Sequence, residues 1–461
     1  MQYRIKPIIY CIVAITIIRL LSLGLYGLLD NTETRYAGIA MRMALSGDYI
    51  TPFVEPSVPF LAKPPLSFWI TAVSFKIFGF NEFAARLPHF LASLAILIIS
   101  FCSFKNTYSA RFAATVSIVF ASTLSFIFLS GSVMTEGSLI FCTSLSIISF
   151  WMLLEKNGSK LWNYPFFIAF GLAMLAKGPV GIVLTATPMV IYLTIYRKWA
   201  DFFGKFWIIR GTLMFVAICA PWYTMMQIRN PDFLEYFIVG EHIKRFLVSG
   251  WSGDVYGFSH DQPFGMIWMF FIASTIPWIF FAIFYCTKNI KNTKSMLHAA
   301  NKENTFFLLC LMIPLLFFTF ASNIIMPYSF FSAFPFAFLV AKLITSQKLS
   351  NRTICCTSFV SSFIMLGAIY YCARNGTELS DKNYIKTALN NGSDKIYYSD
   401  ASIQYSSRFY AQDKLEQISR ETALTLPRNS YIISKNPLSQ NPLFEQIICN
   451  HKKTRCLYKK I

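Results

Sequence analysis

From residue 8 to residue 373, the chain alternates between long apolar runs and short polar segments. An apolar run of about 20 residues is long enough to cross a lipid bilayer as an α-helix. The pattern therefore predicts 11 transmembrane helices, which lie at 8–29, 84–104, 110–130, 133–154, 162–177, 178–196, 208–228, 264–287, 305–320, 327–345 and 353–373.

The apolar segment 66–80, LSFWITAVSFKIFGF, is short and is interrupted by Lys76. Lysine and arginine concentrate in the cytoplasmic loops of membrane proteins. If the N-terminus is inside and 66–80 does not cross, the basic loops all face inward; these are 105–111, 155–161, 197–207, 288–304 and 346–352. We therefore predict that 66–80 is a helix lying along the outer surface of the membrane, with 11 spans and an upper limit of 13.

The pattern changes after residue 373. Stretches such as DKIYYSD and SYIISK are typical of short strands, and they predict a small α/β module with one helix. The chain is thus divided into a transmembrane domain, 1–373, and a small extracytoplasmic domain, 374–461. Two loops of the first domain, 30–83 and 229–263, are predicted to be large and to face outward.

Composition supports the membrane assignment and removes one alternative. The chain is 55% hydrophobic with a mean hydropathy of +0.49, which exceeds what a water-soluble core needs. Its net charge of +19 is explained by basic residues retained on the cytoplasmic side, so we expect no nucleic-acid partner. Among the 11 cysteines, Cys449 and Cys456 lie in the polar tail and could pair if that tail is outside the cytoplasm.

The predicted outer loops carry acids and bases together, unlike the basic inner loops. Charged groups are costly at a membrane, and those that occur usually line a polar cavity. We therefore predict a polar cavity at the outer face, formed from Glu33, Arg35, Lys63, Glu82, Arg86, Glu136, Lys177, Glu241, His242, Lys244, Arg245, Asp254 and Asp261.

The stretch DNTETRYAGIA in the first outer loop contains the first candidate acid. It places Glu33, Tyr36 and Ala37 on one helical face, with Thr32 or Thr34 available as the cap. The same pattern is typical of a capped amphipathic helix at the membrane surface, and the residues alone leave both interpretations open.

Lysine 63 is the most specific basic candidate, because it precedes Pro64 and Pro65 in LAKPPLSFW. The two prolines forbid a helix before Leu66 and hold the lysine on a rigid extended segment. A lysine at the bilayer boundary can simply extend towards water. A lysine held in a fixed position, however, suits the binding of a phosphate.

Other candidates lie in three further segments. In GEHIKRF, His242 and Arg245 share a helical face and Glu241 can pair with Arg245, which indicates an anion or metal contact or a solvated histidine. Glu136, in VMTEGSLIF, begins a span as either a helix N-terminal charge or a cavity-facing acid. Lys177, in AKGPVG, lies at an outer turn with the same ambiguity.

The sequence lacks the common motifs for binding a nucleotide and for holding the metal of a nucleotide-sugar donor. It contains neither G-x-x-x-x-G-K-[ST] nor G-x-G-x-x-G. It also contains no Asp-x-Asp pair, the usual way in which a sugar transferase holds the metal of a nucleotide donor. The candidate chemistry is therefore that of a phosphate held at a membrane face, without a nucleotide.

The order of these segments resembles that of a known family. TETRYAGIAMRMALSGDYITP, VPFLAKPPLSFWITAVSFKIFGFNEFAARLP, AKGPVG, APWY, EHIKRF and IPLLFF are similar to segments of the membrane glycosyltransferases related to lipid A aminoarabinose transferase, and more distantly of protein O-mannosyltransferases. The resemblance covers roughly residues 8–345 and is specific in the first outer loop and in EHIKRF. It implies a GT-C-like, α-helical polytopic fold with surface helices in the first outer loop, and inverting sugar transfer from a polyprenyl-phosphate donor.

Family positions in the first outer loop are only partly matched. The family usually has Asp-Glu-x-Arg-Tyr-Ala-Glu, with the Asp as catalytic base. Glu33, Arg35 and Tyr36 match this motif, whereas Thr32 replaces the Asp and Gly38 replaces the last Glu. The resemblance assigns Arg35 and Tyr36 to substrate binding.

Later family positions show both matches and substitutions. Glu-Lys-Pro-Pro becomes Ala62 followed by Lys63, which removes an acid associated with metal binding, and an acid that is usually Asp is Glu136. A late lysine is replaced by Ile324, while its tyrosine remains. The matches imply substrate contacts from Lys63, Lys177, His242, Arg245 and Tyr328. No cofactor is assigned by the resemblance, and a divalent metal contacted by His242 stays an alternative that the residues alone leave open.

The chemistry can also be stated without the family. A lipid-phosphate leaving group needs cations, which Lys63, Arg245 and Lys177 supply, and an acceptor hydroxyl also needs a carboxylate base. Glu33 and Glu136 are the candidate bases, and Asp30 is the substitute if the helix starts early. A phosphate acceptor would need no strong base.

We therefore predict an enzyme of the cell inner membrane, with its active site facing the periplasm. It would transfer a hexose or pentose from a polyprenyl-phosphate sugar to lipid A, a lipopolysaccharide core or a protein, with membrane lipids as its surroundings. Two alternatives stay open: a catalytically lapsed relative that binds lipid-linked sugars, and a multi-span transporter, which should show matched broken helices.

Overall fold

The computed structural model describes residues 5–249, 251, 253, 255–256, 260–288, 301–400, 402–439 and 441–461. Most of the chain before residue 375 is helical. The α-helices span Lys6–Ser22, Thr32–Ser46, Leu66–Phe78, Glu82–Thr107, Ala110–Ala121, Leu124–Leu129, Thr135–Leu154, Asn163–Lys177, Pro179–Ile195, Trp199–Lys205, Ile208–Arg229, Arg245–Leu247, Met266–Ser274, Trp278–Lys288, Lys302–Thr319, Ala333–Ser346 and Asn351–Arg374. A π-helix spans Glu235–Lys244, and 3₁₀-helices span Lys160–Trp162 and Met326–Ser332.

Six helical segments of the described chain are long and apolar enough to cross a membrane, or seven if one bent pair counts as a span. The bent pair, Met266–Ser274 and Trp278–Lys288, turns by 98° within the run predicted as one span at 264–287. The other segments are Glu82–Thr107, Thr135–Leu154, Ile208–Arg229, Lys302–Thr319, Met326–Ser346 and Asn351–Arg374. The total of 11 spans stays a prediction.

Several predicted spans form helices shorter than 18 residues. The run 110–130 is divided into Ala110–Ala121 and Leu124–Leu129, because Ser122 ends the first helix and the Thr123 hydroxyl caps the second by accepting from Phe126 N–H at 3.2 Å. The predicted helix after Pro65 forms and spans Leu66–Phe78. Its position along the membrane surface stays a prediction.

The chain divides into two compact units. The first unit contains Met1–Leu20, Phe60–Ser67 and Pro88–Met365, and the second contains Leu21–Pro59, Phe68–Leu87 and Leu366–Ile461. These bounds differ from those of the predicted domains 1–373 and 374–461, which stay a prediction.

Aromatic side chains form much of the core of the first unit. Phe338 stacks on Phe307 with ring centres 3.5 Å apart and meets Phe104 edge to face at 5.3 Å. Trp151 stacks on Phe306 at 5.2 Å, and Trp278 donates its indole N–H to Ser122 Oγ at 2.8 Å. Such rings bury a large area in well-defined geometry, which explains why this chain uses 47 phenylalanines.

The end of the second unit is the small α/β module predicted from the tail pattern. Its strands are β3 (Ile396–Ser399), β4 (Leu415–Ile418), β5 (Tyr431–Ser434), β6 (Phe444–Cys449) and β7 (Cys456–Lys460), following a hairpin of β1 (Phe53–Glu55) and β2 (Val58–Pro59). The sheet order is β4-β3-β5-β7-β6, parallel from β4 to β5 and antiparallel around β7. The four α-helices, rather than the one predicted, are Gly376–Leu379, Lys382–Asn390, Tyr405–Tyr410 and Arg420–Thr425.

Covalent and ionic contacts hold this second unit together. Cys449 and Cys456 form a disulfide between β6 and β7. Arg42 of the helix Thr32–Ser46 makes a bidentate ion pair with Asp413, with N–O distances of 2.8 and 2.9 Å. Arg408 pairs with Glu55 at 2.8 Å. The segment Leu21–Pro59 and the tail thus belong to one folded body.

Candidate functional site

A cavity of about 220 Å³ lies in the first unit. Its walls are mainly apolar and include Pro179, Val180, Phe317, Phe318 and Phe331. A smaller polar set lines the same space, namely Lys63, Lys177, Glu241, His242, Arg245, Asn323 and Tyr328. A mainly apolar pocket with a few convergent polar groups is typical of a ligand-binding site.

Lys63 reaches the cavity from the extended segment that its two prolines impose. The following helix begins at Leu66, as the sequence predicts. The Lys63 Nζ donates to the carbonyl oxygen of Ala62 at 2.8 Å and to Glu241 Oε2 at 2.5 Å. Because both contacts fix the ammonium group, little reorganisation is needed when an anion arrives.

Glu241 connects two of the cavity cations. Besides Lys63, it accepts hydrogen bonds from Arg245 Nη1 at 3.1 and 3.2 Å, the i,i+4 pair that the sequence predicts. Only 2% of the Glu241 side chain is exposed, against 15% for Lys63 and 19% for Arg245. Burial raises the pKa of Glu241, but Lys63 and then Arg245 more than offset that effect, so its pKa is lowered and it is ionised at neutral pH.

His242 lies beside this cluster with both ring nitrogens near carbonyl oxygens. Nδ1 is 2.7 Å from the oxygen of Phe237 and Nε2 is 3.3 Å from that of Lys177. Burial lowers the pKa of His242 below its usual value, so the ring is neutral at pH 7. A neutral ring donates one of these two hydrogen bonds, and the shorter contact favours donation from Nδ1.

The third cation, Lys177, ends the helix Asn163–Lys177. Its Nζ lies 2.6 Å from Glu136 Oε1, and both side chains are less than 10% exposed. The same Nζ lies 4.2 Å from the centre of the Tyr328 ring, which stacks on Phe318 at 4.7 Å. Glu136 is therefore the partner of a cavity-lining lysine.

Metal binding at His242 finds no donor set among the described residues. Nowhere in the described chain do three or more His, Cys, Asp or Glu side chains lie close enough to hold an ion. At the cavity-lining position where the family has an acid, this chain has Ala62. The acid next to His242 in the sequence, Glu241, already pairs with Lys63 and Arg245. These residues do not fit a divalent cation, and the predicted metal contact stays a prediction.

Four predicted site residues belong to the second unit. Glu33 makes a bidentate ion pair with Arg86, with N–O distances of 2.7 and 2.8 Å, and also accepts from Leu29 N–H at 2.9 Å. The Arg86 side chain is fully buried and donates to three backbone carbonyls as well. This is the environment of a buried structural pair, and the role of Glu33 as a base stays a prediction.

The remaining three of these residues are Asp30, Arg35 and Tyr36. Asp30 accepts hydrogen bonds from Ser406 N–H at 2.9 Å and from Thr34 Oγ1 at 2.5 Å, while burial raises its pKa. The Arg35 guanidinium carbon lies 5.3 Å from the centre of the Tyr36 ring. Their proposed substrate contacts stay predictions.

The sequence did not single out Glu241 as the partner of Lys63, or Arg86 as the partner of Glu33. Glu241 and Lys63 are 178 positions apart, so no local spacing joins them. The signal that existed was the presence of acids and bases together in the predicted outer loops. That signal predicts at which membrane face the charged residues gather, but not which of them form ion pairs.

Gly178 provides a test of how tightly the cavity is built. Its φ is +80°, and an added Cβ would lie 2.5 Å from the Phe237 ring and 3.3 Å from the His242 ring. We expect Gly178→Ala to destabilise the protein by about 2–5 kcal/mol, combining backbone strain and overpacking. Gly392→Ala is the control, because its φ is +83° with open space around it. Equal shifts in melting temperature for the two purified variants would contradict the predicted clash.

Comparisons with known proteins identify relatives of this chain and its fold. Residues 62–224 match a family model described as dolichyl-phosphate-mannose-protein mannosyltransferase. The chain is 30% identical over 322 residues to the undecaprenyl phosphate-alpha-4-amino-4-deoxy-L-arabinose arabinosyl transferase of Photorhabdus laumondii, covering 67% of this chain and 54% of the relative. It is 25% identical over 341 residues to arabinosyl transferase 1 of Pseudomonas fluorescens, covering 72% and 57%.

The fold agrees with a solved structure over almost its whole length. The crystal structure of ArnT from Cupriavidus metallidurans bound to undecaprenyl phosphate matches with a TM-score of 0.77 and 16% identity, covering 98% of both chains. The predicted helical polytopic fold with a small C-terminal α/β module is therefore confirmed. The chain is a multi-pass membrane protein related to the GT-C type membrane glycosyltransferases.

Within that class, the predicted resemblance to the aminoarabinose transferases is also confirmed. The chain spans a little more than half the length of the two curated relatives.

Proposed function

We propose that the protein transfers a sugar from a polyprenyl-phosphate-linked donor to an envelope acceptor. The observation that carries this proposal is the mainly apolar cavity in which Lys63, Lys177 and Arg245 converge. The relatives act on an undecaprenyl-phosphate sugar by name, and the solved neighbour binds undecaprenyl phosphate. A lipid phosphate has the same two properties as this cavity, an apolar chain and a small anion.

The three cations have distinct places in the proposed reaction. Lys63 and Arg245 share the Glu241 carboxylate and remain partly exposed, so they are the proposed contacts of the donor phosphate. Lys177 and the Tyr328 ring border the same space and would contact the phosphate or the sugar. Positive charge held in advance stabilises the leaving phosphate as its charge develops.

Glu136 is the proposed catalytic base for a hydroxyl acceptor. The acceptor oxygen bonds to the anomeric carbon, and the bond from that carbon to the phosphate oxygen breaks with its electron pair on the phosphate. The acceptor proton passes to the Glu136 carboxylate, which Lys177 holds at 2.6 Å. Glu33 is less suited, because the Arg86 cation donates to both of its carboxylate oxygens. In Glu136, Lys177 pairs with Oε1, and Oε2 accepts from the neutral Thr135 hydroxyl at 3.2 Å.

The acceptor and the membrane face are further parts of the proposal. Lipid A is the acceptor most consistent with the relatives, and a lipopolysaccharide core sugar or a protein hydroxyl would suit the same chemistry. The active site is proposed to face the periplasm from the inner membrane. The disulfide of Cys449 and Cys456 supports this orientation, since disulfides persist in oxidising compartments.

Two alternatives keep specific support. A lapsed relative that only binds lipid-linked sugars is supported by Thr32, Ala62 and Ile324 at positions where the family has charged residues. A transporter is supported by the bend of 98° between Met266–Ser274 and Trp278–Lys288. A matched broken helix in a second half of the chain, which a transporter of this kind requires, is not present among the described helices.

Mass spectrometry of envelope glycolipids distinguishes these functions. We compare cells that carry no protein, the wild-type protein, Glu136→Gln or Glu155→Gln. The last is a control, because Glu155 contacts Lys198 at 3.3 Å and Tyr192 at 2.9 Å, neither of which lines the cavity, whereas Glu136 contacts the cavity-lining Lys177. We expect the acceptor to lose one sugar mass in the null strain, and Glu136→Gln to lower transfer by about 100-fold or more.

The outcomes separate the alternatives. If acceptor and donor pools are the same in all four strains while the purified protein binds undecaprenyl phosphate, the lapsed relative is favoured. If Glu136→Gln and Glu155→Gln both retain full transfer, the protein is an enzyme but Glu136 is not its base.

A further inference from the structure

Two ion-pair clusters set the charge around the cavity. Lys63, Arg245 and Glu241 form one cluster, and Lys177 with Glu136 forms the other. Three cations and two carboxylates leave one net positive charge among these described residues. His242 adds no charge at neutral pH, because its pKa is lowered.

We propose that Glu241 is a specificity residue, which lowers the positive charge of the phosphate site from two to one and so reduces its preference for a lipid phosphomonoester over a lipid phosphodiester. This inference rests on the proposed function. The donor in that reaction is a phosphodiester with one negative charge. The product left behind is a phosphomonoester, which carries about −1.5 to −2 at neutral pH.

Transfer therefore moves negative charge from the Glu136 carboxylate to the phosphate, whose charge grows from −1 to about −1.5 to −2. The total negative charge of the site rises when Glu136 then releases its proton to water. A site with two net positive charges would hold that product more tightly than the donor. The Glu241 carboxylate weakens this preference, because it repels the more highly charged product more strongly than the donor. The product then leaves more readily, and the next donor can enter.

The geometry places Glu241 in the cavity wall beside the two cations, where it is less exposed than either of them. Its side chain is 2% exposed, whereas Lys63 and Arg245 are 15% and 19% exposed. A phosphate that enters the cavity would therefore contact the exposed sides of the two cations while Glu241 stays in contact with their other sides. Tyr236 also faces Glu241, with its hydroxyl 3.5 Å from Oε1, and carries no charge at neutral pH.

A second possible role of Glu241 leads to a different expectation. If the carboxylate served only to orient Lys63 and Arg245, its removal would weaken the binding of every phosphate. If it serves to limit the positive charge, its removal would strengthen binding and would do so more for the more highly charged phosphate. The two roles therefore predict changes of opposite sign.

The test measures the binding of two lipid probes to purified full-length protein in detergent at pH 7.5. The probes are undecaprenyl phosphate, a monoester, and its methyl phosphodiester. The variants are the wild type, Glu241→Gln, Glu241→Asp and the control Glu155→Gln. We expect Glu241→Gln to tighten diester binding about tenfold and monoester binding about a hundredfold, whereas the other two variants keep the wild-type preference.

Each result has a defined meaning. If Glu241→Gln weakens both probes, or changes them by the same factor, the inference is wrong while the proposed function stands. If the wild-type protein binds neither probe, the proposed function itself fails, and this inference fails with it. Normal size-exclusion behaviour of Glu241→Gln itself, matching that of Glu241→Asp and Glu155→Gln, excludes misfolding as the explanation.

Discussion

Replacement of Lys63 by methionine is expected to lower sugar transfer by about 100- to 1,000-fold. The ammonium group is fixed by Pro64 and Pro65 on one side and by Glu241, at 2.5 Å, on the other. Methionine keeps the length and apolar packing of the side chain but removes its charge. The negative charge of Glu241 then remains at the proposed phosphate site. Arg245 is the cation that still pairs with Glu241, at 3.1 Å.

The measurement is the rate of transfer from a polyprenyl-phosphate sugar by the purified protein. Lys76→Met is the matched control, because Lys76 is an exposed residue of the helix Leu66–Phe78 and does not line the cavity. Lys63→Arg should retain part of the activity, since it keeps the charge but changes the donor geometry. Transfer by Lys63→Met at more than half the wild-type rate would exclude Lys63 from phosphate binding.

Replacement of Arg86 by methionine is expected to destabilise the protein by about 3–5 kcal/mol. This change leaves the Glu33 carboxylate buried with Leu29 N–H as a remaining donor, and it removes the partner of three backbone carbonyls. A buried charge without its counter-ion is much more costly than the intact pair. The measurement is thermal unfolding in detergent together with the yield of monodisperse protein.

The double variant Glu33→Leu, Arg86→Met separates charge from shape. We expect it to be more stable than Arg86→Met alone, because both charged groups are then absent. The double variant also tests the catalytic role of Glu33. If it folds and retains transfer, Glu33 is a structural residue. If it folds and loses transfer, Glu33 is again a candidate base. A loss of less than about 1 kcal/mol in Arg86→Met would contradict the structural interpretation of this pair.

The sequence predicts those parts of the fold that depend on local pattern. The apolar runs indicate the helices, Pro64 and Pro65 indicate the start at Leu66, and the alternation in the tail indicates strands. The hydropathy pattern does not predict a helix break when the residues on both sides of the break are apolar. Ser122 and Thr123 interrupt the run 110–130 through hydroxyl groups that satisfy helix ends, and hydropathy does not register this change.

The candidate site shows the same division between local and distant contacts. Glu241 and Arg245 are four positions apart on one helical segment, so their pair could be predicted. Lys63 and Glu241 are 178 positions apart and Glu33 and Arg86 are 53 apart, and a single sequence carries no periodicity over such separations. The charges at the predicted outer face therefore indicated a cavity but not which of its acids were already paired.

The composition of the second unit also has a consequence for how the protein is made. Its segments Leu21–Pro59 and Phe68–Leu87 are synthesised early, whereas Leu366–Ile461 is synthesised last. The partner of Arg42 is Asp413, and that of Asp30 is Ser406. These contacts therefore form only after the intervening helices have been synthesised, about tens of seconds later at ordinary rates of translation. During that interval the segments Leu21–Pro59 and Phe68–Leu87 lack their C-terminal partners, so we expect a nascent chain that stalls before Leu366 to be open to proteases and chaperones at its beginning.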